Sequence, residues 1–150
     1  MNGDRGALSV QERAGLAIFR GKGNCTACHV GPTLSDEQFH NTGVAWRDPS
    51  AGSGQAAAFN DLGRFAVTGK DADRGAFKTP TLREIARTAP YMHDGTFSTL
   101  AEVVNFYDRG GNKNPFLDGE LRPLGLSDEE KQALLAFLRS LSGDIHDGPD

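Results

Sequence analysis

The chain has 150 residues, a net charge of −4 and little conventional core material, because Leu, Ile, Val and Phe together fill only 32 positions. Its 19 glycines and 7 prolines indicate that much of the backbone runs in loops. The apolar runs are far shorter than the ~20 residues that cross a bilayer, and the lack of a Lys/Arg cluster argues against a nucleic-acid surface. A chain of this kind usually needs a disulfide, a metal or a cofactor to organise it. Two cysteines allow at most one disulfide, so the composition points to a bound group.

A capping box opens the first predicted helix. The Ser9 hydroxyl and the Glu12 carboxylate can each satisfy an amide of the first helical turn. Apolar residues then recur on one face until Gly21 and Gly23. We therefore expect a helix over about 9–20.

The long segment over residues 30–76 shows almost no sustained periodicity. A stretch this long inside a compact domain is usually functional or wrapped around something. Order resumes at Thr79-Pro80, which is typical of a cap followed by proline at the first helical position. We expect a short helix there that stops before Pro90.

Two further capping boxes predict the remaining helices. Thr99 and Glu102 begin the first of them, and its apolar stripe includes Tyr107. Ser127 and Glu130 begin the second, which is the strongest amphipathic helix of the chain. One face of each helix is therefore expected to be buried.

Together these elements predict one mostly helical domain. No convincing alternating strand pattern is visible. We expect an all-α fold over residues 9–143, with long loops wrapped around one bound group. A flexible N-terminal arm over 1–8 and a disordered tail over 144–150 are expected to flank this domain.

The sequence Cys25-Thr26-Ala27-Cys28-His29 carries the chemistry of the chain. It is the attachment pattern of c-type haem, in which two thiols add to the vinyl groups of one haem and the adjacent imidazole reaches the iron. Cys25 and Cys28 are therefore the predicted covalent attachment sites, and His29 is the predicted proximal axial ligand. Such a haem would supply the large apolar body that the composition lacks. Haem c is attached outside the bacterial cytoplasm, so we expect an exported, periplasmic protein whose leader is absent from this chain.

A zinc site and a redox dithiol are the two alternatives for this motif. A structural zinc site needs a second pair of ligands, but His40, His93 and His146 are isolated in the sequence. We expect only solvation for His40 and His146. A thioredoxin-like dithiol would need a preceding strand and a βαβ context, neither of which is visible.

Three further segments are more specific than the haem motif alone. They read FKTPTLR at 77–83, TAPYMHDG at 88–95 and FYDRGG at 106–111. With the haem motif they resemble the C-terminal haem domain of bacterial di-haem cytochrome c peroxidases, and most closely the branch that includes MauG. The resemblance covers most of the chain, from about residue 11 to residue 142, and implies a cytochrome c-like domain.

The resemblance implies a function in electron transfer. In that family two cytochrome c-like domains follow one another: the first holds the haem that meets peroxide, and the second holds a six-coordinate haem that stores or passes electrons. It implies a redox partner protein or a second haem domain, with hydrogen peroxide reduced elsewhere. This chain has a single haem motif, so a stand-alone mono-haem cytochrome c that only carries electrons is the alternative. Whether the chain is itself part of an enzyme stays open at this point.

The resemblance also implies roles for individual residues. Tyr107 stands where the MauG-like branch has its distal axial ligand, and the helical stripe independently turns this residue inward. Met92 is the alternative, because mono-haem cytochromes place a distal methionine in such a loop. His93 is expected in the haem environment. The backbone carbonyls of Thr88 and Pro90 match a calcium site of the family whose remaining ligand comes from the other domain.

Overall fold

The computed structural model describes residues 6–47 and 58–143. Within these residues there are four α-helices, namely α1 (Val10–Arg20), α2 (Phe65–Thr68), α3 (Leu100–Asp108) and α4 (Asp128–Arg139). There are also four two-residue strands, namely β1 (Phe39–His40), β2 (Trp46–Arg47), β3 (Ala58–Phe59) and β4 (Phe77–Lys78). Single turns of 3₁₀ helix lie at Cys25–Ala27, Asp71–Asp73 and Ile85–Arg87.

The ends of the predicted domain lie partly beyond this description. Residues 1–5 of the predicted arm and the whole predicted tail over 144–150, with His146, lie outside the described residues. No helix in the described part of the chain is long and apolar enough to cross a membrane.

The expectation of an all-α fold is wrong, because β-strands pair within the long central segment. β1 and β4 run antiparallel, with Phe39 opposite Lys78 and His40 opposite Phe77, and β2 pairs with β3 in the same sense. Two-residue strands are too short to show the alternation that would have predicted them. These ladders pair backbone amides and carbonyls of segments that lie far apart in the sequence. The fold is therefore mixed, with helices at both ends and short antiparallel strands between.

The three longer helices begin where the capping boxes predict. Ser9, Thr99 and Ser127 are the N-caps, and each side chain accepts a hydrogen bond from the amide three residues further on. The glutamate at that third position accepts in return from the N-cap amide, so all three capping boxes are complete. The first helix follows its predicted bounds closely.

The helix predicted from Thr79-Pro80 is wrong at its start. Thr79 follows β4, and its amide donates to the carbonyl of Gln38 at 2.8 Å. Its carbonyl accepts from Ser35 Oγ at 2.8 Å. These long-range hydrogen bonds extend the strand pairing at Thr79, and no helix begins at this residue. Only the single turn at Ile85–Arg87 is helical.

One apolar core lies between α1, α3, α4 and the segment before α3. Its buried members are Phe19, Leu82, Tyr91, Leu100, Val104, Leu126, Leu134, Leu135, Phe137 and Leu138. Phe106 is the large side chain that is completely buried, although the predicted stripe of α3 passes through Tyr107. The centroid of the Phe106 ring lies 5.3 Å from that of Phe97. Helix α3 therefore buries a second face that the sequence pattern does not indicate.

Helices α1 and α4 cross in close contact at Gly15. A Cβ atom at this position would overlap the carbonyl oxygen of Ala133 and would lie 2.7 Å from Phe137 Cβ. One turn further on, the rings of Phe19 and Phe137 pack with centroids 5.2 Å apart. This crossing sets the direction in which α1 leads into residues 21–29.

We predict that Gly15→Ala lowers the free energy of unfolding by about 1–3 kcal/mol, because an added methyl group overpacks the crossing. Urea denaturation measures this change. Gly119→Ala is the matched control, since Gly119 has open space around it and no positive φ. Equal stabilities of the two variants would contradict the close crossing.

Candidate cofactor site

The predicted attachment residues lie in one tight turn directly after α1. Asn24 adopts the left-handed conformation, with φ 52°, and begins the single 3₁₀ turn at Cys25–Ala27. The amides of Cys28 and His29 both donate to the carbonyl of Cys25, at 3.3 and 2.9 Å. The turn therefore brings the three predicted residues Cys25, Cys28 and His29 together on a short stretch of backbone.

The loop after His29 fixes the orientation of the imidazole. Nδ1 of His29 lies 2.7 Å from the carbonyl oxygen of Leu34. Because a carbonyl only accepts, Nδ1 carries the proton and donates, which leaves the lone pair on Nε2. Burial lowers the pKa of His29, against the opposing effects of the Leu34 carbonyl and the Asp36 charge. A neutral imidazole with its other nitrogen anchored is the form that binds a metal.

Both cysteines are free, partly buried thiols. Burial raises the pKa of Cys25 to about 12. Burial, and then the charges of Asp36, Asp118 and Glu120, raise the pKa of Cys28 to about 11. Zinc sites and redox dithiols use thiolates, which lowered pKa values favour. The surroundings of these two cysteines favour the protonated thiol, which does not fit a redox dithiol and is compatible with thiols that add to the vinyl groups of a haem.

Tyr107 approaches this turn from α3. Burial raises the pKa of Tyr107, and the neighbouring groups Cys25 and Cys28 raise it further. Among residues 6–47 and 58–143 the Tyr107 hydroxyl has no hydrogen-bond partner. The core tyrosine Tyr91, in contrast, donates to the Ile85 carbonyl at 3.1 Å. Tyr91 thus has the ordinary environment of a buried tyrosine, and Tyr107 does not.

Met92 and His93 occupy the loop that leads to α3. Met92 is partly buried and adopts a φ of 71°. The ring of His93 stacks on that of Phe77, with centroids 3.5 Å apart and planes 13° apart, and its Nε2 lies 3.7 Å from Asp61 Oδ2. These contacts tie this loop to β4.

Thr88 and Pro90, the predicted calcium residues, lie on an exposed turn. The Thr88 hydroxyl donates to the Ile85 carbonyl at 3.2 Å, and the Ala89–Pro90 peptide bond is cis. In the described part of the chain neither the Thr88 nor the Pro90 carbonyl accepts a backbone hydrogen bond. Both oxygens are therefore open to a further ligand.

His40 is not the solvated side chain that the sequence suggests. It is partly buried, with Nδ1 2.6 Å from Asp118 Oδ2 and Nε2 2.9 Å from Asp36 Oδ2. Asp36 stands four residues before His40, but Asp118 is 78 residues away from it. The spacing of Asp36 and His40 could have suggested that these two residues interact, but no pattern in the sequence links Asp118 to them.

Known proteins with similar sequences include cytochrome c peroxidases and MauG. No protein-family model matches the chain. The chain is 46% identical over 161 residues to the cytochrome-c peroxidase IdrP2 of Denitromonas iodatirespirans. This alignment covers 96% of this chain and 43% of that protein. It is 39% identical over 144 residues to the methylamine utilization protein MauG of Methylorubrum extorquens, covering 95% of this chain and 37% of that protein.

A solved structure of a MauG-like protein is also similar to this chain. A MauG-like protein associated with microbial copper homeostasis superposes with a TM-score of 0.80 and 34% identity, covering 91% of this chain and 48% of that one. The chain thus spans less than half the length of the curated relatives it matches. The resemblance found in the sequence motifs is confirmed, and the cytochrome c-like fold is supported. The chain belongs to the bacterial di-haem cytochrome c peroxidase and MauG family, as a haem c domain of that family.

Proposed function

We propose that this domain stores or passes electrons for a peroxide-dependent oxidoreductase, through one haem c held by Cys25, Cys28 and His29. The observation that carries the proposal is the His29 imidazole, whose Nδ1 is anchored on the Leu34 carbonyl while Nε2 keeps its lone pair. The family to which the chain belongs supplies the oxidoreductase class. When bound, haem c supplies reversible one-electron chemistry.

Each residue of the turn has a defined task in this proposal. Cys25 and Cys28 would hold the group covalently, and His29 Nε2 would bind its iron. The Leu34 carbonyl accepts a hydrogen bond from Nδ1–H and so increases the basicity of the ligand. The Phe19 ring, 6.4 Å from that of His29, belongs to the buried apolar core and borders the imidazole.

Tyr107 is the distal ligand in this proposal. A thioether favours Fe(II) and raises the potential, whereas an anionic tyrosinate favours Fe(III). Burial raises the pKa of Tyr107, so this residue would act as an anionic ligand only beside a strong positive charge, which a bound ferric iron would supply. The absence of a hydrogen-bond partner for this hydroxyl among the described residues supports Tyr107 over Met92.

We predict that Tyr107→Phe changes the ferric absorption and EPR spectra of the haem-loaded chain, because the sixth ligand is lost. Met92→Leu is the matched control and leaves both spectra unchanged. A sulfur-to-iron charge-transfer band in the parent protein that persists in Tyr107→Phe would instead identify Met92 as the ligand.

The proposal extends to what the chain requires from outside its own fold. Its curated relatives are more than twice as long, so we assign peroxide reduction to a second haem-bearing domain or a redox partner protein. The exposed carbonyls of Thr88 and Pro90 suit a calcium ion that takes further oxygen ligands from that domain. Covalent haem attachment supports a periplasmic location.

A stand-alone electron carrier is the second candidate. It is compatible with the proposed haem site, because Cys25, Cys28, His29 and Tyr107 all belong to this chain. Such a carrier exchanges electrons with partners but has no place in a two-domain peroxidase. The two functions therefore differ in what the chain does when it is joined to the remainder of a relative.

We predict that a chimera of the IdrP2 relative, in which this chain replaces the matching 43% of that protein, reduces hydrogen peroxide with a supplied electron donor. Steady-state peroxide consumption measures the activity, and the Cys25→Ala/Cys28→Ala chimera is the inactive control. An inert chimera that carries its full complement of haem, measured as the pyridine haemochrome, would favour the carrier.

A further inference from the structure

His40 connects three separate segments beside the attachment turn. From β1 it reaches Asp118 through Nδ1, at 2.6 Å, and Asp36 through Nε2, at 2.9 Å. Asp36 is tied to the turn because its amide donates to the Cys28 carbonyl at 2.8 Å, and the Asp118 amide donates to the Asn41 carbonyl at 2.9 Å. The ring is held at both nitrogens and cannot rotate without breaking a hydrogen bond.

This cluster borders the second attachment cysteine. The Cys28 sulfur and one ligand atom each of Asp36 and His40 lie within 4.8 Å of one another. The thioether proposed above consumes the Cys28 thiol, so these three residues are not left as a metal site in the haem-loaded protein. A histidine between two carboxylates therefore lies beside Cys28, through which the haem would be attached.

The hydrogen bonds define the charge of this histidine. An ionised carboxylate only accepts, so both ring nitrogens of His40 donate only when the ring is protonated. Burial opposes this charge, but the bonds to Asp118 and Asp36 outweigh it and raise the pKa of His40. Between 17% and 23% of each of the three side chains is exposed, so their charges are less screened than those of surface residues.

We propose that His40 tunes the reduction potential of the attached haem, by cancelling one of the two carboxylate charges beside its attachment point at Cys28. The proposal rests on the haem attachment at Cys25 and Cys28. Ferric haem carries one more positive charge than ferrous haem, so nearby negative charge stabilises the ferric form and lowers the potential. With His40 protonated, the cluster carries one net negative charge in place of two.

Two substitutions shift the potential in opposite directions. His40→Gln keeps polar atoms for hydrogen bonding but removes the positive charge, and we expect the potential to fall. Asp118→Asn removes one negative charge, and we expect the potential to rise. Both are measured by spectroelectrochemical titration of the haem-loaded chain at pH 6, below the ordinary histidine pKa of about 6.5. Asp71→Asn is the control, because Asp71 is a solvent-exposed carboxylate paired with Arg74.

Opposite shifts that both exceed the control shift support the proposal. Shifts of the same sign, or shifts no larger than that of the control, would overturn it, because a merely structural loosening has no reason to follow charge. If His40→Gln does not fold, the lack of a rise in Asp118→Asn overturns the proposal by itself. An unsubstituted chain whose intact mass shows no covalent haem would instead refute the attachment on which the proposal rests.

Discussion

The hydrogen bond from His29 Nδ1 to the Leu34 carbonyl is the contact on which the arrangement of this domain depends. It fixes the tautomer of the proposed iron ligand. The same loop then returns to the attachment turn, where the Asp36 amide bonds the Cys28 carbonyl. A chain with few large apolar residues thus concentrates local hydrogen bonds around one turn. The proposed haem would supply the apolar body against which that turn and the long loops pack.

The parts of the fold that rest on local interactions could be predicted from the sequence. A capping box joins residues three apart, and Ser9, Thr99 and Ser127 all begin helices as expected. The two strand pairs could not be predicted, because their partners are distant and two residues show no periodicity. Thr79 is an example, since its capping pattern is overridden by hydrogen bonds to Gln38 and Ser35, which are distant in the sequence.

Site residues that are close in the sequence could likewise be predicted, and those brought together by tertiary structure could not. Cys25, Cys28 and His29 form a contiguous motif, so spacing alone predicts them. The anchoring of His29 by Leu34 has no sequence signature, because any residue supplies a carbonyl. His40 was missed since its second carboxylate, Asp118, comes from a loop 78 residues away. Charges that surround a cofactor are assembled by tertiary structure, and only their possible members can be read from a sequence.

The most direct test of the haem as organising centre compares the unsubstituted chain with Cys25→Ala/Cys28→Ala after expression with the haem attachment machinery. Intact mass under denaturing conditions reports covalent haem, and far-UV circular dichroism reports helix. We expect the unsubstituted chain to retain its haem through denaturation, and the double variant to lack haem and to lose much of its helical signal. A haem-free double variant with the same helical signal and the same unfolding temperature as the haem-loaded chain would contradict this role.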